Sequence, residues 1–385
     1  MTIQPNRPSV GQLQPSLIRQ LANGALGRDD VLPLWFGEPD VPTAHFIRDV
    51  AKASLDDGDT FYQANAGHPL LRTALKDYMN RLYATDFVED NIIVTTSGMA
   101  AVALATQCVV AEGDHIVTHS PTWPNLPSTP QIMGADLTCV PLRPKDGYWH
   151  LDIEELLAAC TPKTRALLIN SPSNPTGWML NDAEQQHILD FCRAHDIWLI
   201  ADEVYSRIVY DQPYAPSFAD KITDDDKVLI VNSFSKTWAM TGWRLGWLTI
   251  PKSMVTTFEM LVEYNFACVF APIQLAGVVA VNEGESFVQE SVTRYKVALD
   301  FVTDQLEDLP RVSFPKPRAA FYAFFGVDGV DDSFAFAQEI LAKTGVGLAP
   351  GIAFGTDGEG YLRLCFASDV ERLEQAFDRL KPMLT

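Results

Sequence analysis

Five short apolar runs, at residues 91–96, 115–118, 166–170, 197–201 and 228–231, alternate with helix-patterned stretches between about residues 52 and 265. Runs this short, rich in Ile, Val and Leu and lacking a polar face, suit strands buried on both sides. Strands that alternate with helices are joined by crossovers, so the pattern predicts a doubly wound, mostly parallel sheet of the α/β class. Ligands of such sheets bind beyond the carboxyl ends of the strands, so the polar residues after each run are where chemistry belongs. No G-x-G-x-x-G follows any of the runs, which argues against a nicotinamide cofactor.

The last run leads into Ser233-Phe234-Ser235-Lys236, and Arg244 stands eight residues further on. A lysine just beyond a buried strand is poorly hydrated, which disfavours its ammonium form and makes the amine a usable nucleophile for a carbonyl. Arg244 keeps its charge, and with Ser233 and Ser235 it offers the donors that a phosphate wants. A solvated lysine and an arginine paired with a carboxylate would fit the same residues.

The spacing S-x-S-K-x-x-x-x-x-G-x-R resembles the lysine region of the class I and II aminotransferases, enzymes of fold type I that use pyridoxal phosphate (PLP). The resemblance implies a large domain with a mostly parallel sheet wrapped by helices, and a smaller α+β domain. It implies that Lys236 carries the cofactor as an internal aldimine, while Ser233 and Arg244 hold its phosphate. Residues 1–45 are expected to form an N-terminal arm and part of the small domain, 46–275 the large domain, and 276–385 the rest of the small domain.

Other stretches can be read in the same two ways. Asp202 ends the run 197–201, where a carboxylate is costly without a cation. It would pair with the cofactor's ring nitrogen, or else cap a following helix. Tyr205 and Asn174, the latter in a turn of Asn-Pro and Thr-Gly steps, match the family's ligands of the ring oxygen. Trp123, flanked by prolines, matches its ring-stacking aromatic; core packing is the alternative. Ser97, Gly98 and Met99 follow a strand and open a helix, a place that suits phosphate, and the family has its phosphate turn there. Gly37, in a G-x-P-D segment, matches a glycine facing the substrate. Arg363, inside the apolar run 360–367, needs an anion; the family uses it to clamp the substrate carboxylate, and a structural salt bridge is the alternative. Tyr62 matches a tyrosine that reaches the cofactor of a neighbouring subunit, which implies a homodimer.

The formal charge of −20 argues against nucleic acid or an anionic membrane as partner. The six scattered cysteines form no C-x-x-C pair, as expected of reduced thiols in a cytoplasmic protein, and suggest no metal site. The acidic groups at 224–226 and at Asp357 and Glu359 read as solvated loops. The expected reaction is amino-group transfer between an amino acid and a 2-oxo acid, with elimination at the β carbon as the alternative on the same fold and a silent binding module as the reading from another class. No basic residue occurs between Lys252 and Arg294, and Met99 stands where some aspartate-specific relatives carry a lysine. With Trp35, Phe36 and Trp123 expected nearby, the substrate reading leans to neutral, apolar or aromatic amino acids.

Overall fold

All five runs are strands of one sheet. The computed structural model describes residues 6–385, so the first five residues of the expected arm lie outside the described residues. Ile92–Thr95 (β1), His115–Ser120 (β2), Asp136–Pro141 (β3), Thr164–Asn170 (β4), Trp198–Asp202 (β5), Val228–Ser233 (β6) and Gly246–Thr249 (β7) form a seven-stranded sheet. Their order in space is β1-β7-β6-β5-β4-β2-β3. β7 runs antiparallel to both neighbours, and the other pairings are parallel. Side chains alternate across the sheet: Leu199 and Ala201 enter one core cluster, whereas Trp198 and Ile200 enter the other. β3 escapes a search for apolar runs because it lies at the sheet edge with Asp136 and Cys139 exposed.

The helices begin where local chemistry starts them. Leu17–Gly24 (α1) is capped by Ser16, whose hydroxyl accepts from Arg19 N at 3.3 Å, and it buries Ile18, Leu21 and Ala22 on one face. Pro69–Tyr83 (α2) has proline at its first position and buries Leu71, Leu75 and Met79, while Leu70 faces solvent. Gly98–Val109 (α3) is capped by Ser97, and Asp182–His195 (α4) by a reciprocal Asn181–Glu184 box.

A second, antiparallel sheet comprises Val312–Ser313 (β8), Tyr322–Val327 (β9), Ala349–Pro350 (β10) and Tyr361–Cys365 (β11), ordered β8-β9-β11-β10. Ser333–Thr344 (α5) and Val370–Leu384 (α6) pack beside it. β9 begins only at Tyr322, although apolar residues start at Ala319, because Ala320 adopts a left-handed φ of 60° that breaks the extended run. Residues 32–40 link the sheets. Leu32 and Pro33 pair with Val346 and Gly347, and Cys365 N donates to Leu34 O at 2.9 Å. The segment then crosses to the carboxyl end of β6.

Candidate active site

Beyond the carboxyl ends of β1, β4, β5 and β6 lies a cavity of about 280 Å³. Lys236, Asp202, Tyr205, Asn174, Arg363, Arg244, Trp123, Ser233, Gly98, Met99 and Gly37 all line it. Residues more than three hundred positions apart in sequence therefore meet in one place.

Asp202 ends β5 and is 2 % exposed. Among the described residues the only hydrogen bond to its carboxylate is from Val204 N at 3.3 Å, and no cation pairs with it. Burial pushes its carboxyl up to about 7, opposed by the Val204 bond and by Lys236. The helix that Asp202 could have capped does not form; residues 204–207 make a turn. Its neighbour Glu203 points the other way, into the core, where Ser217 and Phe218 N satisfy it.

Lys236 sits in the short helix Phe234–Thr237 after β6. Its amine donates to Gly37 O at 2.6 Å and lies 5.9 Å from the centre of the Tyr205 ring. Burial, assisted by Arg363 and Arg244, lowers its pKa to about 8 despite Cys365 and Glu38 nearby. A substantial fraction of the amine is then neutral and nucleophilic at neutral to mildly basic pH.

Arg363, on β11, is 3 % exposed and pairs with no carboxylate among the described residues. It donates to Asn174 Oδ1 at 2.8 Å and to the Trp35 carbonyl, and is sandwiched by the Tyr322 and Phe354 rings at 4.4 and 4.7 Å. The salt-bridge alternative therefore fails: this buried guanidinium is held in place by neutral acceptors and aromatic faces, with its charge uncompensated. Asn174 is oriented in turn, since its N–H donates to Asn170 Oδ1 at 2.8 Å, while Asn170 Nδ2 donates to Asp202 O at 3.1 Å. His119, kept neutral by burial at about 4, accepts from Asn170 N.

At the opposite corner the start of α3 meets Ser233, Ser235 and Arg244. The seryl oxygens are 2.9 Å apart, and Arg244 donates to Thr241 O at 2.6 Å from a left-handed φ of 57°. Space is tight here: a Cβ on Gly246 would fall 2.6 Å from Gly98 N.

Two expected residues stand apart. Ser97 does not line the cavity; its hydroxyl accepts from Ala100 N at 3.0 Å as the α3 cap. Tyr62 is 90 % exposed and outside the cavity of its own chain. Trp35, expected near the substrate, is 4 % exposed and packed in the core, whereas Phe36 faces the cavity. Sequence reasoning missed Arg19, Asn170, Val204 and Tyr322 among the lining residues. Only Asn170, directly at a strand end, left a signal that could have found it. The acidic loops are partly paired within the chain: Asp226 binds Arg193 at 2.7 Å, Asp224 binds Lys252 at 2.5 Å, and Glu359 accepts from Ser333 N at 2.6 Å.

The donor set fits pyridoxal phosphate. A buried carboxylate without a cation suits a protonated ring nitrogen, an amine of lowered pKa suits an aldehyde, and a helix start with two hydroxyls and an arginine suits a phosphate. Fold and site together define a PLP-dependent enzyme of fold type I.

Comparison with known proteins narrows this further. The sequence profile "Aminotransferase class I and II" matches residues 29–380. The chain is 33% identical to an aspartate aminotransferase of Pyrococcus horikoshii over 97% of its own length and 95% of that protein's. It is also 33% identical to aromatic-amino-acid aminotransferase 2 of Thermococcus litoralis, over 97% and 96%. The solved structure of Thermus thermophilus aspartate aminotransferase with maleate superposes with a TM-score of 0.92 at 28% identity, covering 99% of this chain and 100% of that one. The chain belongs to the class I and II aminotransferases, and its reaction is PLP-dependent transfer of an amino group between amino and 2-oxo acids.

Proposed function

We propose that the donor is a neutral, apolar or aromatic amino acid and that the residues at the carboxyl ends of the large sheet divide the work as follows. Pyridoxal phosphate, when bound, supplies an aldehyde that accepts the amino group and a ring that draws electrons from the α carbon. Asp202 would keep the ring nitrogen protonated. Tyr205 and Asn174 would face the ring oxygen, Trp123 would cover the ring, and Gly98, Met99, Ser233 and Arg244 would hold the phosphate. Arg363 would take the substrate carboxylate beside Asn174, with the Gly37 backbone alongside. Lys236 would hold the cofactor between turnovers and, once free, move the proton from the α carbon, a step for which an amine titrating near 8 is suited.

The observation that carries this reading is the buried Asp202 carboxylate, without a partner cation, in the cavity that holds Lys236. Ile18, Phe36, Met99 and Trp123 give the cavity an apolar wall, which favours apolar side chains. A panel of amino donors offered to the purified holoenzyme tests the donor class, with an absorbance spectrum before and after each addition. Neutral donors should convert the chromophore fastest; aspartate exceeding all of them by about tenfold would reject the lean.

The working unit in this reading is a homodimer in the cytoplasm. Phe61, Tyr62, Tyr264 and Phe270 are exposed at 82, 90, 86 and 46 %, an apolar cost that a second copy would remove. Tyr62 would then reach the neighbouring site. All six cysteines are unpaired, and no helix of the described residues is long and apolar enough to cross a membrane. Sedimentation at micromolar concentration checks the dimer; a monomeric, fully active enzyme would refute it.

A further inference from the structure

One lining residue is left over by the reading above, on which this inference rests. Four cations border the cavity, Lys236, Arg244, Arg363 and Arg19, against a single carboxylate, Asp202. Such an excess is unusual in a chain of formal charge −20 and means that the cavity is built for anions. A phosphate uses Arg244, a substrate α-carboxylate uses Arg363, and Lys236 is the reacting amine. Arg19 has no assigned anion, and among the described residues no carboxylate pairs with it.

Its placement is specific. Three consecutive residues of the linking segment each present a cation to the cavity: Trp35 O accepts from Arg363, the Phe36 ring carries the Arg19 guanidinium 5.6 Å from its centre, and Gly37 O accepts from Lys236. Arg19 thus stands beside the α-carboxylate site, on the aromatic face that also walls the side-chain region. It is not on a loose tail. α1 is fixed by the Ser16 cap and by Ile18, Leu21 and Ala22 buried against the body of the protein, with β10 among its neighbours. Ser16 and Asn125 also line the cavity and add polar groups to it. The guanidinium rests on a ring and not on an acid, so an incoming carboxylate displaces no ion pair, and withdrawal of the arginine leaves an apolar wall for a neutral side chain.

We propose that Arg19, on α1, is the residue that reads the second carboxylate of dicarboxylic substrates, while neutral side chains meet the Phe36 wall beneath it. In R19Q holoenzyme, half-reactions are followed by the cofactor's absorbance, with glutamate and 2-oxoglutarate as dicarboxylic probes and leucine and its oxo acid as neutral ones. The ratio of dicarboxylic to neutral kcat/KM should fall about 10- to 100-fold, with R19K recovering part of it. A binding measurement separates recognition from chemistry. Succinate, followed by spectral shift or tryptophan fluorescence, should bind R19Q about tenfold or more weakly than the parent, and butyrate should not discriminate between them. A ratio unchanged within about twofold, or an equal fall for both substrate classes, would overturn the proposal. So would a parent enzyme that transaminates neutral substrates but ignores the dicarboxylic probes. A parent that transaminates neither removes the underlying reading together with the proposal, and that result is visible before any variant is made.

Discussion

The Lys236 amine donates to the Gly37 carbonyl at 2.6 Å, across 199 residues of sequence. When Lys236 is not bonded to a ligand, this carbonyl gives its amine a fixed resting place inside the cavity. The carbonyl does not restore the ammonium's hydration, and burial still lowers the pKa from 10.5 to about 8. In cofactor-free protein, acylation of Lys236 by a small acid anhydride, which releases the carboxylate, should be half-maximal near pH 8 when read by peptide mass spectrometry. Exposed lysines should require about two further pH units. The folded amine holds its proton less tightly than the unfolded one, so this group's contribution to stability rises from about pH 8 to 10.5.

Asp202 should trade stability against cofactor affinity. Its folded pKa, about 7, lies above the 3.8 of a free carboxyl, so its charge destabilises the cofactor-free protein increasingly between those values and fully above them. Asp202→Asn should therefore raise the melting temperature of cofactor-free protein at pH 8 by about 2 °C or more, a gain that shrinks as pH falls toward 4. The same variant should bind pyridoxal phosphate at least about 30-fold more weakly. Calorimetry and a cofactor titration check the two halves.

Gly37 allows no side chain. A Cβ there would lie 1.9 Å from Tyr322 Oη, and that hydroxyl is itself 2.7 Å from Tyr205 Oη. Gly37→Ala must push Tyr322 off Tyr205 and disturb the ring that carries Arg363. Loss of about 10²-fold or more in kcat/KM is expected, with the core fold kept by far-ultraviolet circular dichroism.

Arg363 depends on shape as well as charge. Its planar group lies between Tyr322 and Phe354 and bonds to Asn174 and to the Trp35 carbonyl. Lysine keeps the charge but cannot reproduce the fork or the stacking. Arg363→Lys should raise KM for monocarboxylic and dicarboxylic substrates alike by about 10- to 100-fold. Steady-state kinetics with both classes distinguish this from a defect confined to one of them.

Much of this architecture is legible in the chain because buried parallel strands leave apolar runs and their carboxyl ends leave abrupt polar residues. Asp202, Ser233 and Asn170 sit at such ends. What is not legible is what the chain brings in from elsewhere. Tyr322 reads as one more aromatic in an apolar strand, and only its approach to Gly37 and Tyr205 makes it part of the site. Arg19 reads as a surface residue of a polar arm, because nothing in its neighbours predicts that α1 docks over the cavity. Ser97 is a different case: a helix cap and a phosphate ligand call for the same residue type at the same place, and only geometry shows the hydroxyl on Ala100 N and outside the cavity lining.

The segment from Leu32 to Asp40 is stitched to the small sheet at one end and carries the lysine's carbonyl partner further along. Adjusting the enzyme to longer or shorter substrates by shifting β11 and its arginine would drag this ribbon and re-aim the reactive nitrogen. Specificity and rate are mechanically yoked here, so redesign that spares turnover should change side chains on α1 and leave the ribbon alone.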